Sequence, residues 1–219
     1  MSDKYLVIFD MDGVLSDTGE AHYESWKMLA DEIGADFDRE FFEETFGQQS
    51  IPITRKLAGE SPSKKEIEEW ADLKEKYYRR IIKDKLEPLP GVMELLNGLK
   101  NHGFKLAVGS SGPPENVKLL LESLDLEDYF DVIITAADVS ESKPAPDVFL
   151  KAAQKLNLET KNVLVIEDAP VGIEAAKRSN MKTIALTTTH PQDELMDADL
   201  ILPDLRGLTV EQILNIIEQ

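Results

Sequence analysis

The sequence contains no cysteine. Disulfide frameworks, thiolate metal sites and cysteine nucleophiles are therefore excluded, and any chemistry must rest on oxygen and nitrogen. Long apolar runs are missing too, so no segment approaches a membrane span, and the start, MSDK before a short apolar run, is unlike a secretory leader. A cytoplasmic location with no membrane partner is the expectation. Positive charge is scarce: 24 Lys and Arg stand against 42 Asp and Glu, a formal net charge of −18. Such a chain repels nucleic acid and anionic membranes, and it repels a phosphorylated substrate unless lysines or a metal reverse the local sign. There is no internal repeat and no low-complexity tract.

What is present suits a folded globular protein. With 219 residues and 42% apolar content, the chain can form one sizeable domain or a core with a smaller insertion, expected as a monomer. Apolar runs at residues 5–9, 104–110, 131–135, 162–167, 182–187 and 199–202 read as buried strands. Amphipathic patterns such as VMELLNGLKNHG, ENVKLLLESLDL, PDVFLKAAQKLNL and GIEAAKRSNM lie between them. Alternating strand and helix predicts an α/β fold with a doubly wound parallel sheet. From Ser16 to Pro88 strand signals vanish and charged helical stretches take over, ending at the turn PLPG. The expected organisation is an α/β core of residues 1–15 and 89–219 carrying a helical insertion of residues 16–88. The charge runs and aromatic residues of that insertion read most simply as solvated helix faces and packing.

The first strand runs into VIFDMDGVL. Asp10 and Asp12, two residues apart, begin on the same side of the chain, and their repulsion calls for a cation or a shared proton. A turn accounts for Asp and Gly equally well, and this stretch alone leaves both readings open. In an open parallel sheet, ligands bind beyond the carboxyl ends of the strands. Ser110 and Ser111 end the second apolar run, Glu167 and Asp168 end the fourth, and Lys143 lies in the loop after the third. Separately, these are a helix cap, a turn and a surface lysine. Gathered at one edge, they are the parts of a metal-assisted phosphate site. A Walker loop is absent, GSSG lacks the dinucleotide spacing, and DMDG fails the calcium-loop pattern.

The ordered segments FDMDGVLSD, VGSSG, SKPAPD and VIEDAPVGIEAA resemble the four motifs of the haloacid dehalogenase superfamily. The likeness is to its helical-cap subfamily, which includes β-phosphoglucomutase and sugar-phosphate phosphatases. It implies a Rossmann-like core with an inserted cap and an aspartyl-phosphate mechanism. It also implies Asp10 as nucleophile, Asp12 as general acid and base, and Ser110 and Lys143 as holders of the phosphoryl group, with Ser111 at the substrate. Mg2+ is the implied cofactor, with Asp10, Asp12, Glu167 and Asp168 as its candidate ligands. In that role Asp12 must stay partly protonated, to give a proton to the leaving oxygen and later take one from water.

Specificity is expected from the insertion, because the core motifs read only phosphate. Thr18, Glu20, His22 and Lys74 are the candidates to face the substrate, and DTGEAHYESWKMLADEIG resembles the opening of a β-phosphoglucomutase cap. His22 could equally be a helix residue beside the hinge, and Lys74 an ordinary surface lysine. In the mutases, an arginine three residues after a cap-loop glycine grips the distal phosphate of a bisphosphorylated sugar. Here GQQSIPITR puts Ser50 at that position and moves Arg55 into the following helix. The departure favours hydrolysis of a small phosphomonoester. The alternatives are a β-phosphoglucomutase, an inorganic pyrophosphatase and a non-catalytic binding protein, which would have no need for the full catalytic set.

Overall fold

The computed structural model describes residues 4–83 and 85–219; residues 1–3, within the MSDK start, and residue 84, within the expected insertion, lie outside the described residues. Six strands form one parallel sheet: β1 (Leu6–Phe9), β2 (Lys105–Gly109), β3 (Val132–Ile134), β4 (Val163–Glu167), β5 (Lys182–Leu186) and β6 (Leu200–Leu202). They stand in the order β3-β2-β1-β4-β5-β6. Helices α5 (Val92–Asn101), α6 (Pro114–Ser123), α7 (Asp147–Lys155), α8 (Pro170–Arg178) and α9 (Val210–Ile217) accompany them. Each strand falls within a residue or so of its apolar run.

The continuous apolar character of the strands has a simple cause. Val7 and Phe9 of β1 join Leu164 and Ile166 of β4 in one core cluster, whereas Leu6 and Ile8 join Val163 and Val165 in another. Alternate side chains thus enter cores on opposite faces, and both faces are covered. The helical patterns overrun their helices at α6, α7 and α8. After each, an Asp or Asn takes a left-handed backbone (Asp125, Asn157 and Asn180, each φ 55°), which these residues tolerate better than most.

Strand β1 is central, paired in parallel with β2 through Leu6↔Lys105 and with β4 through Leu6↔Val163. Strand order therefore reverses at β1, and its carboxyl end opens the crevice where ligands bind in such sheets. Directly beyond it come the helices α1 (Gly19–Ile33), α2 (Arg39–Thr45), α3 (Ser50–Ala58) and α4 (Lys64–Ile82). They have their own apolar cluster, built on Trp26, Leu29, Phe42, Phe46 and Ile53. The two crossings between this bundle and the sheet are tied together. Ser16 Oγ donates to the Glu87 carbonyl at 2.7 Å, and the Leu89 amide donates to the Leu15 carbonyl at 2.9 Å.

Phe149 of α7 is fully buried beneath the sheet, with the Lys143 ammonium 4.9 Å from its ring centre. Truncation to Ala empties a well-packed site, for which about 3–5 kcal/mol is the usual loss. Phe149→Ala is expected to lower the urea midpoint accordingly with an unchanged slope.

Candidate active site

Asp10 follows β1 directly and is buried, and its amide donates to the Ile166 carbonyl at 2.9 Å. Lys143 reaches it from the loop after β3. The lysine Nζ lies 2.5 Å from Asp10 Oδ1, 2.6 Å from Glu167 Oε1 and 3.0 Å from the Gly109 carbonyl, and it donates to all three. Asp168 completes a buried triad, in which one oxygen each from Asp10, Glu167 and Asp168 lies within 4.8 Å of the others. Three carboxylates and one ammonium leave a net negative charge in a low-dielectric site. Burial raises Asp10, Lys143 pulls it back, and Glu167 and Asp12 raise it again, to about 7. Asp168 is driven well above the usual carboxylate range by burial, then by Glu167 and Asp10. Burial works against the Lys143 ammonium, but Asp10 and Glu167 outweigh it and hold the proton on more tightly than in water.

Two glycines make room for this crowding. Gly13 has φ +75°, and a Cβ there would lie 1.9 Å from Asp168 Oδ2. At Gly172, in the first turn of α8, a Cβ would lie 1.8 Å from Glu167 Oε1. Glu167 Oε2 accepts from the amides of Asp168 (2.9 Å) and Ala169 (3.1 Å) at the start of that helix. Ser110, buried at the end of β2, accepts from the Gly112 amide at 3.0 Å, whereas the buried Ser111 Oγ has no partner. In the loop after β5, Thr189 donates to Asp168 Oδ2, and Thr188 donates to the Gly13 carbonyl at 2.6 Å. Neither threonine carries a sequence signal of its own, since both lie in a short TTTH stretch outside every motif.

Asp12 departs from the expected metal set. Its carboxylate is turned toward the helical insertion, where Oδ1 accepts from Thr18 Oγ1 at 2.5 Å and Tyr78 Oη at 2.9 Å. The same oxygen lies 3.1 Å from His22 Nε2. Burial alone would raise Asp12, but the facing His22 and the donors Thr18 and Tyr78 outweigh it and hold the group at about 2. The expected partial protonation is therefore disfavoured in this arrangement, because three groups converge on one carboxylate. Glu20 also departs from expectation. It is exposed and pairs with Arg39 at 3.0 Å, so it does not face the site.

Lys74, in contrast, is only 1% exposed. Its Nζ lies 2.8 Å from His22 Nδ1 and 3.0 Å from Glu75 Oε1, with the Trp26 ring centre 5.0 Å away. His22 stacks on Tyr78 with ring centres 3.9 Å apart. A cavity of about 50 Å3 separates this cluster from the triad, with His22, Ser50, Lys74 and Glu75 on one wall and Asp10, Ser110, Lys143 and Asp168 on the other. The structure therefore brings together Asp10, Ser110, Ser111, Lys143, Glu167, Asp168, His22 and Lys74. Thr18 reaches the site only through Asp12. Glu75, Tyr78 and Asn116 belong to it without having been singled out by the sequence.

With this geometry in view, likeness to known proteins becomes informative. Residues 7–186 match the model of the haloacid dehalogenase-like hydrolase family. The chain belongs to that family. It is 34% identical over 213 residues to the β-phosphoglucomutase of Bacillus subtilis, covering 94% of this chain and 92% of that protein. It is 30% identical over 218 residues to the phosphorylated carbohydrates phosphatase of Thermotoga maritima, covering 97% and 98%. The crystal structure of β-phosphoglucomutase from Clostridium difficile superposes with a TM-score of 0.91 at 30% identity, covering all of this chain and 98% of that one. The haloacid dehalogenase-like hydrolase thus has mutase and phosphatase relatives at similar distances, and its own residues must separate the two activities.

Lys143 is the one cation between Asp10 and Glu167 among the described residues. Removing one member of a buried ion pair typically costs about 3–5 kcal/mol. Lys143→Met is expected to lower metal-free stability at neutral pH by that order, read from the urea midpoint.

Proposed function

We propose that the chain is a magnesium-dependent phosphatase that hydrolyses a small phosphomonoester, a sugar phosphate or similar metabolite, through an aspartyl-phosphate on Asp10. The carrying observation is the placement of Asp10 at the switch point of the sheet, held by Lys143 beside a buried carboxylate triad. The donor set fits Mg2+: it is all oxygen, closely spaced and short of positive charge. Asp10, Glu167 and Asp168 would hold the ion, which would offset charge on the phosphoryl group and the nucleophile.

In this reading an Asp10 oxygen attacks phosphorus as the bond to the leaving oxygen breaks. Water then attacks the acyl phosphate and returns the free carboxylate with inorganic phosphate. Lys143 and the Ser110 hydroxyl take the charge that spreads over the equatorial oxygens. Asp12, held as a carboxylate by the helical insertion, is arranged to accept the proton of the attacking water. To supply a proton to the leaving group it must first leave His22 and Tyr78, which requires movement of the insertion. In this reading residues 16–88 act as a cap over a core of residues 1–15 and 89–219, with the cavity of about 50 Å3 between them.

Water, not a sugar hydroxyl, is the acceptor in this reading because the distal-phosphate grip is missing. Ser50 donates its hydroxyl to Glu75, and Arg55 points away, donating to the Pro62 carbonyl at 2.8 Å and the Gly59 carbonyl at 3.4 Å. Losing one charge-assisted contact costs roughly 1.5–3 kcal/mol, about one to two powers of ten in affinity for a bisphosphate.

Asp10→Asn is expected to keep the fold and to abolish phosphate release from a panel of sugar monophosphates. Activity above a few percent of the native level would rule out a nucleophilic Asp10. Chelation should abolish turnover, and added Mg2+ should restore it. Given β-glucose 1-phosphate together with glucose 1,6-bisphosphate, the enzyme should form inorganic phosphate faster than glucose 6-phosphate. The opposite ratio would make it a mutase.

A further inference from the structure

A second cleft of about 120 Å3 adjoins the catalytic cavity, between α3, α4 and the segments that follow β2 and β3. Its apolar wall is Ile51, Ala71, Pro113 and Ala136, and Asp72 adds an exposed carboxylate. Ser50, Glu75 and Ser111 line both spaces, so they form the partition. The inner cavity gathers the phosphoryl-binding groups Asp10, Ser110 and Lys143. The rest of a substrate extends from them, and the adjoining cleft opens beside them across the shared wall.

Glu75 governs that partition. It is 6% exposed, and its Oε1 accepts from Ser50 Oγ and from Lys74 Nζ at 3.0 Å. Its Oε2 accepts from Asn116 of α6, whose Oδ1 in turn accepts from Arg79 Nη1 at 2.7 Å. The Lys74 charge is thus matched within the wall, and the group nearest the cleft is an anion. A second phosphate entering there would meet Glu75 and then Asp72. A hydroxyl, however, could donate to Glu75 in place of Ser50, and the unpartnered Ser111 Oγ supplies a further hydrogen-bonding group.

We propose that the substrate's leaving group reaches past Glu75 into this cleft. In that position Glu75 determines specificity, selecting an uncharged, hydroxyl-bearing leaving group over one that carries a second phosphate. The assignment rests on the phosphatase reading above.

The test uses full-length Asp10→Asn protein with Mg2+, so that ligands bind without turning over. Calorimetry gives the affinities of β-glucose 1-phosphate and β-glucose 1,6-bisphosphate, alone and with Glu75→Gln added. Glutamine keeps the shape of the side chain but frees the Lys74 charge. The bisphosphate is expected to gain about tenfold relative to the monophosphate, the order of one charge-assisted contact. Asp72→Lys, on the exposed side of α4, should move the ratio in the same direction and covers the case in which Glu75→Gln does not fold. A ratio within twofold of the parent in the folded variants overturns the assignment. If the ratio shifts but the native enzyme releases phosphate from no monoester, the phosphatase reading fails and the selectivity stands; the converse removes the selectivity alone.

Discussion

Three carboxylates that repel one another, gathered at the buried end of a central strand, are the constraint around which the site is built. Asp10, Glu167 and Asp168 lie close enough to share one cation, yet among the described residues a single ammonium, Lys143, pairs with two of them. Isolated buried charges of this kind are expensive unless paired and hydrogen-bonded. The surroundings follow from that requirement. Two amides at the start of α8 face Glu167, a threonine hydroxyl faces Asp168, and two positions in contact with the triad are glycine because a Cβ would occupy carboxylate oxygen positions. The charge left over is what a divalent cation and a phosphoryl group together can use.

A second charged assembly faces the first across the cavity. Asp12, His22, Lys74, Glu75, Asn116 and Arg79 form a run of polar contacts that leaves the β1 loop, crosses α1 and α4, and returns to α6. Asp12 and Asn116 anchor the run on the sheet side, and the other members are carried by the helical insertion. Any displacement of α4 away from α6 breaks the contacts of Glu75 and Arg79 with Asn116, and any displacement from β1 frees Asp12. The position of the insertion and the ionisation of Asp12 are coupled through the same side chains, because His22, Thr18 and Tyr78 outweigh burial and hold that carboxyl charged.

The sheet was legible in the sequence because its strands are covered on both faces, so continuous apolar runs mark them without ambiguity of period. The ends of those runs then located Asp10, Ser110, Lys143, Glu167 and Asp168, since strand polarity alone puts them at one edge. No such rule reaches the insertion. Lys74 and Glu75 sit in LKEKYYRR, a stretch that reads as solvated helix, and their burial depends on how α4 is rotated against α1 and α6. Tyr78 reads as packing for the same reason, although its hydroxyl serves Asp12. Glu20 fails in the other direction. Two residues before His22 on α1, it lies about 200° round the helix from it and points to solvent.

The difference between hydrolysis and phosphoryl transfer then reduces to what lies beyond the cavity wall. Both chemistries need the same nucleophile, lysine and triad, so the core cannot discriminate between them. A mutase must hold a bisphosphorylated intermediate and turn it within the site, which calls for an unmatched cation on the cap side. Here the buried cation of that wall, Lys74, is matched by its neighbour in sequence, and the nearby Arg55 is spent on the turn after α3. The serine at the arginine position completes the neutralisation by donating to the same glutamate. On the proposed reading, an outer wall with no unmatched cation among the described residues releases a second phosphate more readily than it turns one, which would leave an aspartyl-phosphate to water.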